Sequence, residues 1–130
     1  MKWWNHPGEG HQYVYYGKFD DNGLFTGEGL LEEPTGQYTG SFLKGKKHGE
    51  GVYKFKNNIR YEGSYINGIK EGFGCIICIS NDEKIYEGQW KNNLPSGEGI
   101  RFDEKGRKEK TYYIEGINVY ALKDQSNIVA

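Results

Sequence analysis

Two cysteines three residues apart, Cys75 and Cys78, form the segment that most resembles a reactive motif. Thiols at this spacing can bind zinc or exchange a disulfide. A structural zinc site needs a second pair of ligands at similar spacing, and the sequence has none. A thioredoxin-type thiol needs a helix N-terminus that stabilises its thiolate. This segment has strand composition, and strand positions three apart point to opposite faces. We therefore expect two ordinary strand cysteines, without a metal or a disulfide framework.

The segment 40–47 comes within one residue of a phosphate-binding P-loop. Lys47 stands where that motif has the Ser or Thr that holds magnesium, and no strand-to-helix transition is expected here. Gly63 and Gly68 reproduce the glycine spacing in another part of the chain without the lysine. The match is therefore a by-product of a repeating glycine pattern, and no cofactor is predicted.

The remaining groups that could do acid–base or nucleophilic chemistry are not grouped as a catalytic site. His6, His11 and His48 lack ligand spacing, and no Ser/His/Asp set or carboxylate pair stands out. Four glutamates recur as the middle residue of successive Gly-x-Gly units: Glu9, Glu28, Glu50 and Glu98. The simplest interpretation is a solvated position that recurs with a repeat. The sequence predicts a protein that is not an enzyme.

Composition and charge narrow the classes of partner. Seventeen Lys and Arg against eighteen Asp and Glu give a net charge of −1, which does not favour a nucleic-acid partner. No segment approaches the roughly 18 apolar residues of a membrane-spanning helix, and the first residues lack the apolar run of a signal peptide. We expect one small domain in the cytoplasm.

A Tyr-x-Gly-x-aromatic phrase, each time followed by Gly-x-Gly, occurs four times. Its residues are Tyr15, Gly17 and Phe19; Tyr38, Gly40 and Phe42; Tyr61, Gly63 and Tyr65; and Tyr86, Gly88 and Trp90. The tyrosines are 23, 23 and 25 residues apart. Self-similarity at such a period indicates a repeat architecture, and such architectures build extended surfaces more often than single pockets.

Within a repeat the residues alternate with the period of a β-strand. Gly49, Gly51, Tyr53 and Phe55 share one face, and the turns between such segments are polar or rich in Gly and Asn. Two short strands per repeat therefore predict an all-β antiparallel meander, a single-layered stack of hairpins. In such a stack the glycines leave room for the rings.

We also predict a register for this stack. A turn centred on Asn58 places Tyr53 opposite Gly63, and the same phase places Gly74 opposite Trp90. Each ring then lies across a strand position without a side chain. The joint before the second copy is one residue shorter than the joint that holds Asn58, so we expect a bulge or a shifted pairing there.

The ends of the pattern predict the domain boundaries. We expect a single domain over 1–122 and a C-terminal tail over 123–130. Its parts are a half-repeat cap over 3–14, repeats near 15–37, 38–60, 61–85 and 86–110, and a closing segment over 111–122. The closing segment contains a degenerate copy, Ile114-Glu115-Gly116. Terminal caps of this kind are what open repeat stacks require.

These residues resemble the MORN repeat (membrane occupation and recognition nexus). Tyr61 to Gly74 fits that unit throughout, as does Tyr38 to Gly51, while the first copy has one extra residue and the fourth has Asn93 in place of a turn glycine. The resemblance implies an elongated, curved stack of β-hairpins. It also implies a protein-binding scaffold, since many members occur in cytoskeletal, ciliary or membrane-junction proteins, and lipid binding has been attributed to some.

The strand face opposite the rings carries the residues that the repeat leaves free. An apolar strip is predicted there, formed by Leu30, Val52, Cys75, Ile77, Ile79, Ile100 and Phe102. Exposed contiguous apolar surface usually marks a partner site. Alternatively, the C-terminal segment folds back and covers the strip with its own apolar side chains, Ile114, Ile117, Val119 and Tyr120. Both interpretations stay open at this point.

The predicted function is a non-catalytic protein–protein interaction scaffold or adaptor, a structural component of a larger cytoskeletal or ciliary assembly. The alternative is a peripheral membrane module that binds phosphoinositide or another anionic lipid through basic turns. Those turns contain Lys44, Lys46 and Lys47, and Arg101, Lys105, Arg107, Lys108 and Lys110. The sequence predicts neither the identity of the partner nor the oligomeric state.

Overall fold

A computed structural model describes residues 2–8 and 11–121 of the chain, with side chains from residue 13 onward. Within these residues eleven strands follow one another in chain order in a single antiparallel sheet. They are β1 (Lys2–Gly8), β2 (His11–Phe19), β3 (Phe25–Glu33), β4 (Gly36–Leu43), β5 (Lys46–Phe55), β6 (Ile59–Ile66), β7 (Ile69–Cys78), β8 (Lys84–Lys91), β9 (Leu94–Phe102), β10 (Lys108–Ile114) and β11 (Ile117–Asn118). The predicted all-β hairpin stack is confirmed. The predicted tail, 123–130, and Glu9 lie outside the described residues.

One face of the sheet, here called the ring face, holds the hydrophobic core. Tyr15, Tyr38 and Tyr61 are fully buried there, and the aromatic residues of the repeats form a continuous series of edge-to-face contacts. Ring centroids lie 5.0 to 5.8 Å apart along the series Tyr15, Phe42, Tyr38, Tyr65, Tyr61, Trp90, Tyr86 and Tyr113. Each such pair contributes roughly 0.5–1.5 kcal/mol beyond the burial of its area. The stack is thus held together across hairpins by rings.

The glycines of the repeat make room for these rings, as the sequence predicts. The Tyr61 ring lies over Gly63 in its own strand and over Gly74 in the next. A Cβ atom on Gly74 would lie 2.5 Å from the Tyr61 hydroxyl oxygen, and one on Gly63 would lie 2.7 Å from it. Tyr86 covers Gly99 in the same way, at 2.5 Å. No side chain fits at these positions without moving a ring.

The predicted register is wrong by two residues. Tyr53 pairs with Tyr61 rather than with Gly63, and Gly74 pairs with Gly88 rather than with Trp90. A slip of two residues leaves every side chain on its predicted face. The tyrosine rings extend diagonally across the sheet, so that glycines align with glycines and one ring covers a glycine in each of two strands.

The predicted bulge in the shortest joint is also wrong. Strands β3 and β4 pair without irregularity. Bulges lie instead in strands that carry the Tyr-x-Gly-x-aromatic phrase, such as β4 and β6, and in the longest joint, between Ile76 and Ile77. Tyr61 donates its hydroxyl hydrogen bond to the carbonyl of the bulged residue Ser64, at 2.9 Å. Opposite this bulge Gly72 has a φ of +91°, a conformation that glycine adopts readily. The first glycine of Gly-x-Gly is therefore required by its backbone.

The stack ends in a charged pair. Glu109, Thr111 and Tyr113 of β10 occupy the Tyr, Gly and aromatic positions of a fifth copy, because Thr111 pairs with Gly99 and Glu109 pairs with Arg101. The degenerate copy therefore does not lie at 114–116, which forms a hairpin turn, and the closing strand begins before residue 111. The Arg101 guanidinium and the Glu109 carboxylate lie 2.6 Å apart. A polar pair in place of a ring suits the end of a repeat stack.

Candidate partner-binding face

The face opposite the rings is here called the glutamate face. A row of paired residues crosses it from strand to strand, and apolar side chains alternate along the row with polar ones, two of which are glutamates. The row consists of Leu30, Thr39, Val52, Glu62, Cys75, Glu87, Ile100 and Lys110. A second row contains Glu28, Glu50 and Glu98, the middle residues of three Gly-x-Gly units.

Phe73 is the middle residue of the remaining Gly-x-Gly unit, and its side chain is 54% exposed. It lines two shallow cavities that meet at this residue. One, of about 680 Å³, is also lined by Glu28, Thr39, Glu50, Val52, Glu62, Ser64 and Cys75. The other, of about 440 Å³, is also lined by Glu87, Gln89, Glu98, Ile100, Lys110, Thr111 and Tyr120. An exposed aromatic ring thus stands between two grooves with acidic walls.

The acidic side chains around Phe73 differ in how far they are neutralised. Glu62 pairs with Arg60 at 3.0 Å, and Glu87 pairs with Lys84 at 2.9 Å. By contrast, Glu28, Glu50 and Glu98 make no ion pair with any residue of 13–121. The second row of the face therefore carries an uncompensated negative charge.

This charge acts on a group on the other side of the sheet. Burial raises the pKa of Tyr38 well above its ordinary value, and the carboxylates of Glu28 and Glu50 raise the pKa further. The physical reason is that a nearby negative charge disfavours the phenolate. The acidic row therefore has an electrostatic effect that extends beyond its own surface.

The structure places the predicted strip residues in different environments. Leu30, Val52, Cys75 and Ile100 lie half-buried in one row of the glutamate face. Ile77 is only 5% exposed, between its pairing partners Arg60 and Lys84, and offers little surface. Ile79 follows the end of β7, where its backbone N–H bonds to a turn carbonyl. Phe102 lines a separate cavity of about 400 Å³ near the end of the stack.

The C-terminal segment covers only part of this face. Tyr120 lines the groove beside Ile100, whereas Ile114 and Ile117 are 53% and 55% exposed. Around Val52 no residue of 111–121 lines the cavity. Within the described residues, the predicted fold-back is therefore limited to the last groove.

Sequence reasoning missed Phe73 as a functional candidate, although a signal was available. Four Gly-x-Gly units have a glutamate in the middle, and the unit at 72–74 has a phenylalanine. Phe73 is an apolar residue at a position that is acidic and solvated in the other repeats, and this difference marks the site. The same reasoning also missed a row of exposed aliphatic residues that flank the hairpin turns: Leu24, Leu43, Ile66, Ile69, Leu94, Ile114 and Ile117.

The two cysteines are unpaired and lie in different surroundings. Burial, and next the Glu87 carboxylate, raise the pKa of Cys75. A hydrogen bond with the Ser80 hydroxyl lowers the pKa of Cys78. Among the described residues no three His, Cys, Asp or Glu side chains are gathered as metal ligands.

The basic turns are partly neutralised within the chain. Of the eight predicted lipid-binding residues, Lys47, Arg101 and Arg107 form ion pairs with carboxylates, at 2.9, 2.6 and 2.6 Å. In the described part of the chain, no helix is long and apolar enough to cross a membrane. The positive charge available to an anionic surface is thus smaller than the sequence indicates.

The MORN-repeat family model matches the chain three times, at residues 38–60, 61–83 and 86–106, which is over half of its length. The first predicted repeat, 15–37, is not matched. Its Tyr15 nevertheless donates to the carbonyl three residues ahead, at 2.8 Å, as Tyr38 does in the matched second repeat. The hairpin of β2 and β3 thus has the same ring geometry.

The proteins that are similar to this chain differ widely in length. Human Alsin is 36% identical over 66 residues, which cover 48% of this chain and 4% of Alsin. MORN repeat-containing protein 3 of Xenopus laevis is 34% identical over 71 residues, 51% of this chain and 30% of that protein. The "Inactive protein tyrosine kinase pTKL" of Plasmodium falciparum is 31% identical over 84 residues, 63% of this chain and 6% of that protein.

This chain thus spans less than a third of the length of each of these relatives. The described part of it consists of stacked hairpins of one kind, and the family model accounts for the greater part of those hairpins. The chain belongs to the MORN-repeat family, whose repeats are in general interaction or membrane-associated modules rather than enzymes.

Proposed function

We propose that this protein is a non-catalytic interaction module that binds a partner protein through the glutamate face, with Phe73 at the centre of the contact. The observation that carries the proposal is the exposure of Phe73, 54%, at the meeting point of two grooves. Aromatic anchors that become buried at the centre of an interface supply much of its binding energy.

The chemistry of the face selects the kind of partner. Glu50 and Glu98 lie on either side of Phe73 along the stack, without basic partners among the described side chains. A partner segment with Lys or Arg residues on both sides of an apolar residue complements this arrangement. Such charge complementarity steers association and sets specificity more than it adds affinity.

We further propose a role as an adaptor or a structural component of a larger assembly in the cytoplasm, of a cytoskeletal or ciliary kind. This part of the proposal is supported by membership of the family and by the lack of a catalytic constellation in the sequence. A stack of hairpins offers a long surface to a partner.

The experiment tests the site with matched variants. Wild-type protein, Phe73→Ala and Leu24→Ala are compared for binding to labelled peptides in which an apolar residue is flanked by lysines or, as a control, by glutamates. Leu24 is a suitable control because it is 42% exposed but lies at a turn of the first repeat. We expect only the basic peptides to bind, with roughly tenfold or greater weakening in Phe73→Ala, because a hot-spot truncation costs about 2 kcal/mol or more.

Charge-reversed variants complete the test. Glu50→Lys and Glu98→Lys should weaken the basic peptides and should not weaken the acidic ones. Equal binding of both peptide classes, or full binding to Phe73→Ala with loss in Leu24→Ala, contradicts the proposal. The membrane alternative is tested separately by flotation with anionic liposomes at low salt. The ion pairs of the basic turns lead us to expect no recovery with the liposomes.

A further inference from the structure

The ring face contains a small cavity that the partner-binding proposal does not use. Its volume is about 170 Å³, and it is lined by Glu33, Lys47, Tyr53, Phe55, Tyr65, Gly68, Lys70 and Asn93. Two ammonium groups and one carboxylate lie among these residues. Because this cavity and Phe73 are on opposite faces of the sheet, the two sites can be tested independently.

The first ammonium group, that of Lys47, is neutralised within the cavity. Its Nζ atom lies 2.9 Å from a Glu33 carboxylate oxygen, and the Tyr53 hydroxyl donates to the other oxygen at 2.7 Å. The same Nζ lies 5.2 Å from the centre of the Tyr53 ring. Within the cavity, one carboxylate, that of Glu33, is thus already bound by an ammonium and a hydroxyl group.

The second ammonium group, that of Lys70, has no such partner. Its Nζ lies 5.1, 5.3 and 5.6 Å from the ring centres of Phe55, Tyr61 and Trp90. No carboxylate of residues 13–121 forms an ion pair with it. Burial, and next the charge of Lys47, lower the pKa of Lys70.

Ring contacts do not satisfy this group completely. Cation–π contacts stabilise an ammonium, but they supply neither a counter-charge nor a full set of hydrogen-bond acceptors. An ammonium has three N–H donors. The cavity, with two positive groups and one negative group, has a net charge of +1 and unused donors at Lys70.

We propose that this cavity binds a carboxylate monoanion, with the Lys70 ammonium as its ion-pair partner. A single negative charge neutralises the cavity, whereas a phosphate dianion leaves excess negative charge beside Glu33. The shared chemistry is a carboxylate, and its source is either a free small carboxylate or an acidic side chain or chain terminus of a partner.

The first experiment follows the side-chain ammonium signals of ¹⁵N-lysine-labelled protein by NMR. Sodium acetate is added and compared with sodium chloride at equal ionic strength. We expect acetate, and not chloride, to shift the Lys70 Nζ signal and the indole N–H signal of Trp90, whose ring lies against Lys70. If acetate shifts these signals no more than chloride does, the proposal is overturned.

Variants test the charge argument. Lys70→Met keeps the length of the side chain and should weaken acetate binding roughly tenfold or more, since a hydrogen bond to a charged group contributes about 1.5–3 kcal/mol. Lys54→Met, an exposed lysine on the other face, should leave it unchanged. Should Lys70→Met fail to fold, the wild-type Lys70 signal decides alone.

The variant Glu33→Gln tests whether the net charge of the cavity selects a monoanion. This change raises the net charge of the cavity to +2. We then expect inorganic phosphate to shift the Lys70 signal in this variant and not in the wild-type protein. If phosphate binds the wild-type protein as well as acetate does, or fails to bind Glu33→Gln, the argument for a monoanion is wrong.

The source of the carboxylate is distinguished by two short acetylated peptides. One has a glutamate and an amidated C-terminus, and the other has a glutamine and a free C-terminal carboxylate. Binding of either peptide supports a partner chain as the source, and binding of acetate alone supports a free carboxylate. If neither peptide nor acetate shifts the Lys70 signal, there is no carboxylate site.

Discussion

Replacing Gly74 by alanine tests the packing that holds this protein together. A Cβ atom at this position would lie 2.5 Å from both the hydroxyl oxygen and a ring carbon of Tyr61. Real Cβ atoms essentially never come this close to another heavy atom, so the ring must move. The matched control is Gly68→Ala in the turn of the same repeat, where a Cβ atom has no heavy atom within 4 Å.

The expected cost follows from the contacts that Tyr61 makes. Its hydroxyl donates to a backbone carbonyl at 2.9 Å, a bond that contributes about 1 kcal/mol. Its ring meets Tyr65 and Trp90 edge-to-face at 5.3 and 5.2 Å, each pair contributing roughly 0.5–1.5 kcal/mol. Losing these contacts lowers the free energy of unfolding by about 2–4 kcal/mol. Gly68 has a φ of +84°, so its alanine variant should lose only about 1–2 kcal/mol.

The measurement is equilibrium unfolding in urea, followed by near-ultraviolet circular dichroism for the rings and far-ultraviolet circular dichroism for the sheet. A loss of 2–4 kcal/mol is a large fraction of the roughly 5–15 kcal/mol that stabilises a typical domain. A double-mutant cycle isolates the cause. In a Tyr61→Leu background, the shorter side chain leaves room for the methyl group, so Gly74→Ala should cost less than about 1 kcal/mol.

Two results would refute the reasoning. One is a Gly74→Ala variant that loses no more stability than Gly68→Ala. The other is a cost that stays the same with and without the Tyr61 ring, because the methyl group would then act on the backbone rather than on the ring. Either outcome would mean that the glycines of the repeat serve a conformational purpose and not a spatial one.

Three further predictions concern single groups. Iodoacetamide at pH 7.5 should alkylate Cys78 faster than Cys75, because the pKa of the first is lowered and that of the second raised, and peptide mass mapping over time measures this order. Thr111→Val should raise the free energy of unfolding by about 1 kcal/mol in urea titrations, since the Thr111 hydroxyl is buried without a hydrogen-bond partner among the described side chains, and a loss of stability would contradict this. Glu109→Lys should lower the melting temperature more at low salt than at high salt, because it places a like charge beside Arg101.

Much of the fold could be predicted because the pattern in the sequence is local. Alternation with a period of two places Tyr53 and Phe55 on one face and Val52 on the other, whatever strand lies beside them. The glycines that lie under the rings are predictable for the same reason. The register was not predictable, because a slip of two residues preserves both faces and only the diagonal reach of the Tyr61 ring distinguishes the alternatives.

The candidate sites depended on contacts between strands that are far apart in the chain. Whether Ile77 is buried depends on the side chains opposite it, and the sequence pattern treats it like its half-buried neighbours Cys75 and Ile79. Phe73 is a departure in one Gly-x-Gly unit, and only the pairing of the strands brings it between uncompensated glutamates. Lys70 has a regular position in the repeat. That no carboxylate of residues 13–121 pairs with it follows from which strands form the walls of its cavity.

The sequence by itself determined the repeat, the two faces of every strand and the need for glycines that leave room for rings. These properties follow from steric rules that act within a strand and between neighbouring strands. Only the tertiary structure decided the register, the burial of the strip and the charge balance around Phe73 and Lys70. Those properties depend on which groups of different hairpins meet at distances of a few ångströms, where packing and electrostatic interactions are set.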